Sequence, residues 1–142
     1  MAQTYVFDAE LVGYRGVRRI IAVRDELTLV DLHYALQSAF GWDDDHLYAF
    51  WLGGQFWTSC DEHFTRPCSE YGPSARSAAV TLDALGLTEG RRVAYVFDFG
   101  DEWRVRLRVR EVLADDGRPS PRLLDAVGAA PPQYSPLKVG AA

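Results

Sequence analysis

From Trp103 to Arg110 the chain alternates without a break: Trp103, Val105, Leu107 and Val109 against Arg104, Arg106, Arg108 and Arg110. A period of two sends successive side chains to opposite faces of a strand. A helix would scatter these arginines around its axis. A strand gathers them on one cationic face and leaves the other apolar. Tyr5, Phe7, Ala9 and Leu11 alternate in the same way with Val6, Asp8 and Glu10, which makes a second one-sided strand with an acidic outer face. Cross-strand pairing between the two faces would neutralise the arginine ladder.

The other elements follow from local signals. Gly13-Tyr14-Arg15-Gly16 is a turn and Val17–Val23 a strand, so the chain opens with a hairpin. Thr28 to Phe40 is the one long helix: Thr28 is a good N-cap, Asp31 completes a short capping box, and Leu27 can staple onto Leu32. Leu29, Leu32, Leu36, Ala39 and Phe40 form its apolar stripe, and Gly41 ends it. His46–Leu52 reads as a strand, followed by a Gly53-Gly54 turn into Gln55-Phe56-Trp57. Residues 59–80 read as a long irregular loop. Thr81 caps one short helical turn, Leu82–Leu85, stopped by Gly86, and Val93–Phe99 is a strand. Ser120 reads as the cap of a short helix ending at Gly128. The expected fold is α+β: a largely antiparallel sheet built of hairpins, with one long helix and short helices packed on one face. Residues 1–128 form the expected single domain and 129–142 an irregular tail.

A chain of 142 residues with 13% aromatics has the material for a sheet with large side chains packed against it. The net charge of −5 argues against a general affinity for nucleic acid or anionic membranes. Lys138 is the only lysine, so the cations are arginines, which pair with carboxylates in a bidentate way. No basic and apolar leader opens the sequence, no run is long enough to span a membrane, and Cys60 and Cys68 make no disulfide framework. A cytoplasmic protein with reduced thiols is the expectation.

Three segments carry a resemblance: Leu29-Val30-Asp31-Leu32-His33, then Ala39-Phe40-Gly41-Trp42-Asp43-Asp44-Asp45-His46-Leu47, then Tyr95-Val96-Phe97-Asp98-Phe99-Gly100-Asp101-Glu102-Trp103. In order and spacing they resemble the plasmid pRiA4b ORF-3-like family, also described as having the TnpR-like fold of an insertion-element passenger protein. The resemblance implies a small α+β domain with an antiparallel sheet and an association with plasmids and mobile elements. It brings no established activity. Val105 and Tyr48 stand where the family often has histidine, and the family's C-terminal segment is reduced to Ala130-Pro131-Pro132-Gln133-Tyr134.

Three functional readings follow. The leading one is a non-enzymatic binding or accessory module for a protein or peptide partner. Its surface would be Trp42, Asp43, Asp44, Asp45, His46, Asp98, Asp101 and Trp103, beside the 59–80 loop. The second is a divalent-metal-dependent phosphoesterase or nuclease using Asp43, Asp45, His46, Asp98 and Asp101, although no ligand spacing is diagnostic and no cofactor is predicted. The third is a nucleic-acid-associated protein whose anion-binding residues are Arg104, Arg106, Arg108 and Arg110. Cys60, His63 and Cys68 fit no structural zinc pattern. His33 faces the core side of its helix and reads as a hydrogen-bonded core residue.

Overall fold

A computed structural model describes residues 2–57, 63–65 and 76–133. The strands are β1 (Gln3–Leu11), β2 (Arg18–Arg24), β3 (Tyr48–Leu52), β4 (His63–Thr65), β5 (Arg76–Ser77), β6 (Arg92–Phe97), β7 (Trp103–Ala114) and β8 (Arg122–Val127); helix α1 (Leu29–Phe40) lies between β2 and β3. All eight strands join one sheet in the order β5-β4-β3-β6-β7-β1-β2-β8. It is a mixed sheet, because β4 and β5 pair in parallel while the other neighbours are antiparallel.

The alternation in β1 and β7 does what its period demands. Phe7, Ala9, Leu11, Val105, Leu107 and Val109 are buried on one face, together with Tyr48, Phe50, Tyr95 and Phe97 from β3 and β6. Helix α1 covers this face with Leu29, Leu32, Leu36 and Phe40. Its start is the capping box: the Thr28 hydroxyl accepts from the Asp31 N–H at 3.2 Å, and the Asp31 carboxylate accepts from the Thr28 N–H at 2.8 Å. Its end is Gly41 at φ 75°, a left-handed conformation that suits glycine. On the opposite face Ala49, Trp51, Ala94 and Val96 form a small second cluster, covered by Phe56 and Phe99.

This arrangement overturns the expected α+β class with short helices on one face. Among the described residues there is one α-helix and one 3-10 turn, Leu82–Leu85. The segment after Ser120, read as a helix, is strand β8. The reason is a competing partner. Strand β2 is buried almost throughout and needs a neighbour on its outer edge, which local helix propensity cannot supply. The Ser120 hydroxyl accepts from the Arg24 N–H at 2.8 Å, so it closes the end of β2 instead of capping a helix. The expected strand at Gln55-Phe56-Trp57 is also absent: Phe56 and Trp57 lie in a turn, with Trp57 at φ 58°. Strand β3 pairs instead with β4, inside the segment read as an irregular loop. Cys60 and Cys68 lie outside the described residues.

A buried arginine fastens β8. Arg19 donates through Nη1 to the carbonyls of Arg18, Val127 and Gly128 at 2.8–3.0 Å. Through Nε it donates to the Ala39 carbonyl at the end of α1, at 2.9 Å, and its guanidinium lies over the Phe40 ring. Charge-assisted bonds to four carbonyls make burial tolerable without a carboxylate. The same corner packs backbone on backbone: a Cβ at Gly128 would lie 2.3 Å from the Gly16 carbonyl oxygen. Gly117 has a similar φ, +75°, with open space around it. Gly117→Ala is therefore expected to cost only the left-handed penalty, about 1–2 kcal/mol. Gly128→Ala should cost clearly more in urea unfolding; equal losses would refute the close contact.

Candidate functional site

The residues nominated from the sequence as a partner surface gather near the end of α1, apart from the arginine ladder. Gly41 turns the chain, and Trp42 folds inward to 6% exposure. Its ring lies 5.0 Å from Phe40, 5.4 Å from Phe97 and 5.8 Å from Trp103. Trp103 is buried in turn, with Tyr14 stacked on it at 5.7 Å. Both tryptophans thus act as wedges between helix and sheet, and neither offers a free ring to a partner.

Beneath the acidic loop lies a closed polar ring. His33, at 1% exposure, stacks on Tyr48 with ring centroids 3.6 Å apart. Its Nε2 is 2.6 Å from Asp44 Oδ1 and its Nδ1 is 2.8 Å from the Tyr95 hydroxyl. An ionised carboxylate only accepts, so Nε2 carries a proton and donates a hydrogen bond to Asp44. Nδ1 then accepts from the Tyr95 hydroxyl, which accepts from Gln37 Nε2 at 3.0 Å. Gln37 Oε1 accepts from the Asp44 N–H at 2.7 Å and closes the ring. Each member is satisfied, which is what a buried polar network requires.

The neighbouring acids are held as well. Gln133 donates to Asp45 Oδ1 at 2.8 Å and accepts from the Asp43 N–H at 2.7 Å. His46 Nε2 stands 3.5 Å from Asp45 and 3.4 Å from Asp98. Asp98, at φ 65°, accepts with Oδ1 from the N–H groups of Gly100 and Asp101 in an Asx turn. Asp43 and Asp101 are exposed. Glu102 accepts from Arg104 at 2.6 Å and from Trp57 Nε1 at 2.8 Å, and these bonds, Arg104 first, hold its carboxyl below the usual range. Among the described residues no group of three or more His, Cys, Asp or Glu is arranged to hold a metal ion.

The arginine ladder lies on the sheet face away from α1, and its members do not act alike. Arg104 pairs with Glu102 and covers the Phe56 ring. Arg106 stands opposite Glu10, with an ion pair of 3.8 Å. Arg108 stands between Asp8 on β1 and Arg92 on β6. Arg110 is the extra residue of a bulge, since Val6 pairs with Glu111 and Phe7 with Val109. Arg18 reaches from β2 to Asp8 and Glu10, both at 2.9 Å. Toward Asp8 its N–H is poorly aligned, so that contact is an ion pair without a hydrogen bond. The cross-strand acids therefore serve Arg18 and Arg106 first.

A model of the family described as plasmid pRiA4b ORF-3-like protein matches residues 3–135. The chain belongs to that family. The uncharacterized protein y4hQ of Sinorhizobium fredii is 32% identical over 119 residues, which cover 82% of this chain and 58% of that relative. The chain thus spans a little over half the length of this relative. A crystal structure of a protein of unknown function, MM3350 from Methanosarcina mazei Go1, aligns with a TM-score of 0.78 at 25% identity, over 94% of this chain and 74% of that one. Gly41, Trp42, Asp44, Asp98 and Gly100, which lie in the three segments that carry the resemblance, help to build the corner just described.

Sequence reasoning placed Asp44 on the candidate surface and read His33 as a hydrogen-bonded core residue; it left out their partners Gln37 and Tyr95, and Gln133, the partner of Asp43 and Asp45. Gln37 joins His33 as a polar residue on the mostly apolar buried face of the helix, which is the one signal that could have marked it. Burial raises the Tyr95 phenol well above its usual range, with the Gln37 hydrogen bond opposing the rise. Tyr5 is raised too, by burial and then by Asp25 and Asp83. An unfolded chain releases these protons near pH 10 while the folded one holds them, so stability is complete below that pH and falls above it. Tyr95→Phe leaves His33 and Gln37 short of a partner and should cost about 1–3 kcal/mol at neutral pH. Its loss of stability between about pH 9 and 11 should be shallower than the parent's. Parallel alkaline limbs in urea titrations would refute the role given to Tyr95.

Proposed function

We propose that the chain is a non-enzymatic binding module that takes an extended protein segment along the outer edge of β8. One observation carries the reading. The edge strand β8 exposes Leu123 (50%), Leu124 (44%) and Val127 (49%), and no strand among the described residues pairs with its outer side. An edge strand with exposed apolar side chains is a ready template for another strand.

A groove beside this edge supports the reading. It has a volume of about 250 Å3 and runs between α1 and β8, lined by Tyr34, Ala35, Ala39, Pro121 and Leu123. Tyr34 is 54% exposed on the helix above it. An added strand would send every second side chain toward this groove while its backbone pairs with β8. Bonds from Arg19 to the Val127 and Gly128 carbonyls hold the far end of the strand in place. The state of the acidic corner favours binding over hydrolysis. Asp44, Asp45 and Asp98 are engaged by His33, by Gln133 and by turn amides, so none faces a cleft as a spare base.

The test is a selection of extended peptides by display, followed by amide exchange on the complex. Exchange across residues 122–127 should slow when peptide is bound. Leu123→Glu should weaken binding at least tenfold and shift stability by no more than about 0.5 kcal/mol. Protection elsewhere with β8 unchanged, or pairing of β8 with a second copy of the chain, would count against the proposal.

A further inference from the structure

A second feature lies on the open face of the sheet. It is a cleft of about 260 Å3 lined by Arg18, Arg92, Arg106 and Arg108 with Asp8 and Glu10. Four cations against two carboxylates leave a local excess of positive charge in a chain whose net charge is −5. The two carboxylates are engaged by Arg18 and Arg106. Arg92 and Arg108, by contrast, stand directly opposite each other on β6 and β7. Among the described residues no carboxylate forms an ion pair with either. Like charges directly opposite on neighbouring strands destabilise a sheet unless something neutralises them.

We infer that Arg92 and Arg108 form a binding site for the phosphate group of a small phosphomonoester. Two arginines paired across neighbouring strands and lining one cleft can present forked donors to a tetrahedral dianion, the way arginine binds phosphate best. Gly54 sets one wall: a Cβ there would come within 2.9 Å of Arg92 Cβ, so only glycine lets the turn after β3 lie against the Arg92 stem. A single phosphate suits the site better than a nucleic-acid strand. A strand would need a continuous cationic track, and the ladder does not supply one. Arg104 is bound to Glu102, Arg106 faces Glu10, and Arg110 sits in the bulge outside the cleft.

The site is independent of the β8 edge, and Leu123→Glu should leave it unchanged. Titration calorimetry of the whole chain with inorganic phosphate, a sugar phosphate and a 20-nucleotide single-stranded DNA tests it. Phosphate and the sugar phosphate should compete for one site, and either should raise the melting temperature. Arg92→Ala and Arg108→Ala should each weaken binding at least tenfold, while Arg110→Ala should not. Arg92→Ala removes one of two facing cations, so its melting without ligand should be no lower than in the parent. That separates loss of the site from loss of the fold. No binding of either phosphate at millimolar concentration overturns the inference. So does an equal loss in Arg110→Ala, or salt-sensitive binding of DNA alone.

Discussion

One twelve-residue helix has to cover an eight-stranded sheet, and the layout follows from that disproportion. The helix is about 18 Å long and about 10 Å wide, while eight strands spaced at about 4.8 Å span roughly 34 Å. Only one face can be buried beneath it, and even that face needs large side chains to fill the margins. Trp42, Tyr48, Phe50, Tyr95, Phe97 and Trp103 supply the bulk. Among the described residues no helix covers the other face. It is either polar, as with the arginines of β7, or covered by its own aromatics around Trp51. Burial against that cover also lowers the proton affinity of His63, whose ring stacks on Trp51.

With so little helix, its placement must be exact, and polar groups provide the register. The ring of Asp44, His33, Tyr95 and Gln37 joins the loop after α1, the helix itself and the middle of β6. Arg19 does the same at the other side, joining the end of α1 to β8. Apolar packing tolerates small slips; hydrogen bonds among buried groups do not, because a slipped group loses its partner and stays desolvated. Of these residues His33, Asp44 and Tyr95 lie in the three segments that carry the family resemblance, while Gln37 and Arg19 lie outside them.

Local signals were readable where period and capping speak directly. The alternation of β1 and β7, the capping box at Thr28 and the left-handed stop at Gly41 all depend on neighbours within a few residues. The readings that failed depend on distant partners. Arg122–Val127 has the composition of a short helix and becomes a strand because β2 leaves an edge to be paired. His63–Thr65 is too short for any period and becomes a strand because β3 offers it a ladder.

The same division holds for the candidate surfaces. The sequence by itself determined that one strand face is lined with arginine, that an acidic loop follows the helix, and that His33 points inward. Those statements need only the period of a strand or a helix. Which arginines are neutralised was decided by tertiary structure. Register across four strands gives Glu10 to Arg106, gives both acids to Arg18 and sets Arg92 against Arg108. Whether the acidic loop is open or occupied was also a tertiary matter, because its partners Tyr95 and Gln133 lie far along the chain. Pair energies fall off within a few ångströms, and distance along the sequence says little about distance in space.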